Sequence, residues 1–347
     1  MLIDDVGSFP FPPDITSELF AKDYFTFYRY CAEHGEIPEN RGYLRNFVHP
    51  LAVTFRHKLE TGLDVVNYPQ LFNMHDQFLK PIKQYEKDSY LIDPKYAIVS
   101  ELLALDAEAK RWYEETGQPV WLKACVTGPL ELYLRTEFGF TVYEDVLANL
   151  AKSLNVFAKN CLVNKPYLQT KVVSIDEPSL GFVDFFNTSP DGLAKALDIA
   201  AEGLSCDVQV HLHSLAAAAI PASTRGITTL TCEFASDNSN VVAKELLERN
   251  DKFIRVGICR TNFDAIVAEH IDAGESYEAI IAQPEALIDS EPAIRKNLRL
   301  AKDRYGDRLT YVGPDCGLRS WSPPELASAL LKRVVKVARE EGVTGRT

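Results

Sequence analysis

Residues 207–234 read DVQVHLHSLAAAAIPASTRGITTLTCEF, and this stretch decides the fold. Two β-rich runs, Asp207 to His213 and Thr228 to Phe234, flank a connection, and each closes on polar residues. Six further runs look the same: LIDDVGSFP (Leu2 to Pro10), DVVNY (Asp64 to Tyr68), VWLKACVTGP (Val120 to Pro129), KVVSIDEP (Lys171 to Pro178), KFIRVGIC (Lys252 to Cys259) and LTYVGPDC (Leu309 to Cys316). The segments between them carry helical period. Ser189-Pro190-Asp191 reads as an N-cap, a proline at the first helical position and an acidic first turn. Leu193, Leu197, Ala200, Ala201 and Leu204 then follow one apolar face. Ser322 to Glu325 has capping-box spacing, with Leu326, Leu330, Val334 and Val337 continuing the stripe.

Strand and helix repeated eight times predict an α/β fold, a (β/α)8 TIM barrel spanning residues 1–347 as a single domain. A doubly wound open sheet is the other α/β arrangement, but the first turn has no GxGxxG fingerprint. The connections after the first two strands run to about 50 residues each, far beyond a simple βα unit. They are expected to carry extra helices over the barrel mouth, since YFTFYRY (Tyr24 to Tyr30) is too aromatic for a solvated loop.

Composition agrees. The chain has 347 residues, 46% hydrophobic and 25% charged, which excludes a disordered or collagen-like protein. No run approaches the roughly 18 to 20 apolar residues of a membrane helix, so no membrane partner is expected. MLIDDVGSFP has neither a basic n-region nor a long apolar run, which points to a cytoplasmic protein. The net charge of -12 comes without a basic cluster and argues against a nucleic-acid partner. Seven scattered cysteines with no CxxC pair read as reduced thiols rather than a disulfide framework.

An α/β barrel works at the C-terminal ends of its strands. On the fifth run His211 and His213 are two apart and share a face, with Gln209, while Val208, Val210 and Leu212 face the helices. On the sixth, Thr229, Thr231 and Glu233 point inward, and the eighth ends in Pro314-Asp315-Cys316-Gly317. Imidazole, carboxylate and thiolate are zinc ligands. Taken singly, each has a structural reading: a hydrogen-bonded histidine pair, half of an ion pair, a small buried thiol. At three strand ends of one barrel, together they point to a metal site.

The chain also resembles a known family. GSFP near the start, GLDVV in the second unit, VTGP in the third, IDEP in the fourth and PDCGL in the eighth occur in that order in cobalamin-independent methionine synthases. The match covers essentially the whole chain and corresponds to the C-terminal catalytic barrel of those enzymes, the short "core" form.

The resemblance implies a zinc-dependent transfer of a methyl group to the thiol of homocysteine, giving methionine. It places zinc on His211, His213, Glu233 and Cys316, with His213 standing where the family has Cys. It gives the substrate ammonium to Asp176 and the carboxylate to backbone around Val6, Gly7 and Ser8. Asp176 also shares the inward parity of Ser174 on the fourth run. Two departures concern the donor. Pro69-Gln70 replaces a Gly-Glu pair, and Asn262 stands near the position of a histidine that serves long folate-using enzymes as a proton donor. Tetrahydrofolate leaves poorly unless its nitrogen is protonated. The implied donor is therefore a methyl-corrinoid or a partner protein rather than free methyl-tetrahydrofolate. Two other readings stay open: a corrinoid-linked alkyltransferase acting on another small thiol, and a non-catalytic zinc-binding relative. His75, in FNMHDQF, is a candidate neighbour of the site, with a surface position the commoner outcome.

Overall fold

The computed structural model describes residues 1–38, 44–185 and 187–345. Each of the eight expected runs holds a strand: β1 (Leu2–Ile3), β2 (Val66–Asn67), β3 (Val120–Thr127), β4 (Leu168–Asp176), β5 (Asp207–His211), β6 (Thr229–Cys232), β7 (Phe253–Cys259) and β8 (Leu309–Pro314). From β2 to β8 each strand pairs in parallel with the next, and β8 pairs with β1. The ring closes between β1 and β2 through parallel bridges at Asp4–Val65 and Ser8–Gln70. There the Asp64 N–H donates to the Ile3 carbonyl at 2.9 Å and the Gln70 N–H to the Gly7 carbonyl at 3.1 Å. The architecture is a (β/α)8 TIM barrel with long insertions after β1 and β2.

The first insertion carries helices Ser17–His34 and Val48–Leu59; the second carries Met74–Gln84 and Ser100–Thr116. The aromatic run drives the packing. Tyr24, Phe27 and Tyr28 are buried, and Tyr24 stacks on Phe72 with ring centroids 4.4 Å apart. Ser189 caps helix Pro190–Ala201 by accepting from the Gly192 N–H at 3.0 Å, as the sequence motif predicts. The Ser322 capping box does not form. Helix Pro324–Glu340 begins with Pro323 at the cap position, which leaves Ser322 one residue too early to reach the first turn. Among the described residues no helix is long and apolar enough to cross a membrane.

The barrel interior is layered. Towards the strand N-termini Val65, Val172 and Tyr311 form an apolar plug. Above it sit Asp4, just past the end of β1, and Lys123, Gln209 and Arg255 of β3, β5 and β7, the alternate-strand layering expected of this fold. The layer is ionic rather than aliphatic. Arg255 Nε donates to Asp4 Oδ1 at 2.6 Å, and Lys123 Nζ and Gln209 Nε2 donate to Asp4 Oδ2 at 2.9 and 3.1 Å. This buried floor supports the mouth.

Candidate functional site

At the C-terminal ends of β5, β6 and β8 the structure gathers His211, His213, Glu233 and Cys316, whose candidate ligand atoms all lie within 4.8 Å of one another. Cys316 Sγ is 3.5 Å from His211 Nε2 and 3.8 Å from His213 Nε2, and His213 Nε2 is 3.5 Å from Glu233 Oε1. Ligands at the usual Zn–N, Zn–O and Zn–S distances would stand about 3.3 to 3.8 Å apart along the edges of a tetrahedron. The donor types are those zinc takes, and these three separations match that spacing.

Neighbouring side chains hold each donor. Thr231 Oγ1 accepts the Leu212 N–H at 3.1 Å and faces His211 Nδ1 at 3.2 Å, which turns His211 Nε2 toward the cluster. Asn240 grips both sides of His213: its Nδ2 donates to the His213 carbonyl at 2.8 Å and its Oδ1 accepts the Leu215 N–H at 2.8 Å. The Cys316 N–H donates to Thr261 Oγ1 at 3.1 Å. His211 is buried, whereas the His213 side chain is half exposed at the rim.

The electrostatics suit a cation. Burial, then the neighbouring His213, pushes the His211 imidazole well below its ordinary range, and burial lowers His213 too. Both rings are thus neutral, the form that donates a lone pair to a metal. Burial and the nearby Asp315 push Glu233 up to about 7, and burial with Glu233 pushes the Cys316 thiol up. A carboxyl and a thiol that resist ionisation beside two neutral imidazoles are groups a divalent cation would stabilise as anions.

The other residues singled out from sequence sort into two groups. Asp176, at the tip of β4, is buried, registers opposite His211, and accepts from Ser174 Oγ at 2.7 Å; burial pushes it up to about 6. Gln70 bridges to Ser8, and the Leu318 N–H donates to the Ser8 carbonyl at 2.8 Å, so Val6, Gly7, Ser8 and Gln70 line the same end of the barrel as the Cys316 loop. Asn262 is different. It is exposed and caps helix Phe263–Asp272 by accepting from the Ala265 N–H at 3.2 Å.

Sequence reasoning passed over Glu131. It follows VTGP on the short helix Pro129–Tyr133, pairs with His75 Nε2 at 2.7 Å, and accepts from Ser179 Oγ. Its charge also pulls the His213 imidazole upward, against the effect of burial. Glu177 of IDEP accepts the Leu130 and Glu131 N–H groups at 2.8 Å each, locking the third and fourth motifs together. Gly128 of VTGP makes that contact feasible, since a Cβ there would lie 2.1 Å from the Glu177 carboxyl carbon. The only sequence signal for Glu131 was its place in the first turn after a strand-terminal Gly-Pro.

No protein-family model and no curated protein matches this chain. Solved structures do. A B12-independent methionine synthase from Shewanella sp. W3-18-1, in complex with selenomethionine, aligns over 98% of this chain and 99% of its own at 18% identity, with a TM-score of 0.61. A Listeria monocytogenes protein provisionally named a vitamin-B12-independent methionine synthase aligns over 98% of each chain at 14% identity and 0.58. A methyltransferase from Methanosarcina mazei covers 98% of this chain and 95% of its own at 14% identity and 0.51. These likenesses establish a common fold along the full chain, and the first two bear the name of the family that the sequence motifs resemble.

Proposed function

We propose that this barrel, residues 1–347 acting as one catalytic unit in the cytoplasm, is a zinc-dependent methyltransferase that methylates the thiol of homocysteine to give methionine. The observation that carries this reading is the convergence of two imidazoles, a carboxylate and a thiol within 4.8 Å at the barrel mouth. His211, His213, Glu233 and Cys316 would hold the ion. Bound zinc would supply a Lewis acid that keeps an incoming thiol ionised near neutral pH.

The chain's own residues do the rest. Asp176 receives the substrate ammonium, and its burial strengthens that ion pair relative to a solvated one. Backbone at Val6, Gly7 and Ser8, with the side chain of Gln70, receives the carboxylate. Held at both ends, the thiol points at the donor methyl in one orientation. Asn262 has no acidic proton to give a leaving amine and is engaged as a helix cap. This supports a donor other than free methyl-tetrahydrofolate: a methyl-corrinoid or a partner protein delivering the methyl group.

The test is metal analysis of the purified protein followed by X-ray absorption with and without homocysteine. The reading requires about one zinc per chain and a new sulfur neighbour on adding homocysteine; no zinc, or an unchanged coordination sphere, overturns it. A second reading, a corrinoid-linked alkyltransferase for another small thiol, draws support from the uncharged Gln70. Methyl acceptance by homocysteine, cysteine and coenzyme M separates the two, because an acceptor lacking an ammonium has no use for Asp176.

A further inference from the structure

We propose that Asp315 is a positioning residue that sets the separation of two of the four donors, Glu233 and Cys316. This rests on the metal-binding reading above. Asp315 lies between the end of β8 and Cys316, and its carboxylate is almost completely buried. Oδ1 accepts the Ala235 N–H at 3.0 Å, while Oδ2 accepts the Ser236 N–H and the Ser236 Oγ–H, each at 2.7 Å. These donors follow Glu233 by two and three residues. One carboxylate thus ties the loop that carries Glu233 to the loop that carries Cys316.

The strand between them is shaped for this contact. A Cβ on Gly257 of β7 would lie 2.0 Å from Asp315 Oδ1 and 2.6 Å from Asp315 Cα, so any side chain there would displace the carboxylate. The Asp315 N–H donates to the Cys259 carbonyl of β7 at 2.9 Å, fixing the backbone from which the side chain projects. Three adjacent strands therefore meet on one group. Thr231 and Asn240 each steady a single histidine segment, but Asp315 spans two donors. Slack in this tie would lengthen one edge of the ligand tetrahedron, and such supporting contacts are typically worth 10- to 100-fold in metal affinity.

The experiment measures zinc affinity by chelator competition, cobalt(II) absorption spectra and thermal stability without added metal. The variants are Asp315→Asn, Ser236→Ala and Leu298→Ala. Asp315→Asn keeps the shape but turns an NH2 toward donor groups. Ser236→Ala removes one of the three bonds and should fold even if Asp315→Asn does not. Leu298→Ala is the stability control, a buried residue on helix Glu291–Tyr305 away from the donors. The expected result is a roughly 10- to 100-fold loss of zinc affinity in Asp315→Asn. Ser236→Ala should lose less, and both should show shifted cobalt bands. Leu298→Ala should lose stability with unchanged affinity and spectrum. Wild-type affinity and cobalt bands in both site variants would overturn the role of Asp315 while leaving the metal site standing. An equal loss of affinity in Leu298→Ala would likewise reduce it to general stability. A wild-type protein that takes up no zinc would instead overturn the metal reading itself.

Discussion

The barrel floor and the barrel mouth both bury carboxylates, and they treat them in opposite ways. On the floor Asp4 is fully buried, which by itself raises its pKa. Arg255 and Lys123 outweigh that and hold it below the usual carboxylate range. Asp5, one residue on, pairs with the buried Lys58 at 2.6 Å. At the mouth Glu233, Asp176 and Asp315 are pushed up to about 7, 6 and 6, burial being the first cause of each. Burial raises all four and the net sign differs, because Asp4 touches Arg255 and Lys123 directly whereas Asp176 and Asp315 are held by hydroxyls and backbone N–H groups and Glu233 lies beside an imidazole. A region that concentrates acidic groups without matching positive charge is built to receive it from a ligand.

The floor gives the largest expected effect. Arg255→Met leaves Asp4 with Lys123 alone in a dry layer, and removing one partner of a buried pair typically costs about 3 to 5 kcal/mol. Urea unfolding should show that loss. A cost below about 1 kcal/mol would mean the floor is not held by ion pairing and the contrast with the mouth is false.

The mouth should respond the other way. Cys316→Ala is expected to lose most of the bound zinc while changing the stability of the zinc-stripped protein by no more than about 1 kcal/mol, the ordinary scale for one substitution. Metal analysis and urea unfolding of the same sample check both halves. Retained zinc would remove Cys316 from the donor set, and a floor-sized loss of stability would erase the distinction between the two regions.

A third carboxyl sharpens the comparison through pH. Glu101, fully buried on helix Ser100–Thr116, accepts from Gln77 Nε2 at 3.1 Å and, among the described residues, has no cation paired with it; burial pushes it up to about 8. Its ordinary value is near 4.5. Below that pH both folded and unfolded chains hold the proton, and Glu101 stabilises the fold fully. Between 4.5 and 8 the unfolded chain releases the proton and the folded chain keeps it, so stability falls as pH rises. Unfolding midpoints between pH 5 and 8 should therefore decline in the wild type and decline less steeply in Glu101→Gln, since the raised carboxyls of the mouth still contribute. Parallel curves would show that this carboxyl does not carry the slope.

Much of this was legible in one chain of letters. Strand parity alone put His211, His213 and Glu233 on the inner face, because alternation on a strand is a local property. What holds those residues was not legible. Asp315 meets Ser236 across 79 positions and Cys316 meets Thr261 across 55, and no periodicity links such pairs. The first two strands also proved far shorter than their apolar runs. Side chains replace ladder bonds there: Asp64 Oδ2 accepts the Ile3 N–H at 2.8 Å and Asp5 Oδ1 the Asn67 N–H at 2.7 Å. Asn262 marks the remaining gap. Aligned by motif it falls near a catalytic position, yet an Asn just ahead of FDAIVAEH is also a good helix cap, and the structure uses it so.

The smallest effect belongs to the rim of the mouth. Among the described residues the His213 ring has no hydrogen bond to its Nδ1, its side chain is half exposed, its Nε2 meets its fellow donors Cys316 and Glu233, and Asn240 holds its backbone. Zinc accepts either imidazole or thiolate in a tetrahedral set. His213→Cys should therefore keep about one zinc per chain, with a cobalt spectrum showing one more sulfur ligand and little change in stability. The added anionic sulfur makes the ion less electron-poor, so the bound acceptor thiol should ionise at a higher pH than in the wild type. A pH titration of homocysteine binding reads that shift. Loss of zinc from His213→Cys would mean that the rim demands an imidazole, and that the mouth is as intolerant of substitution as the floor.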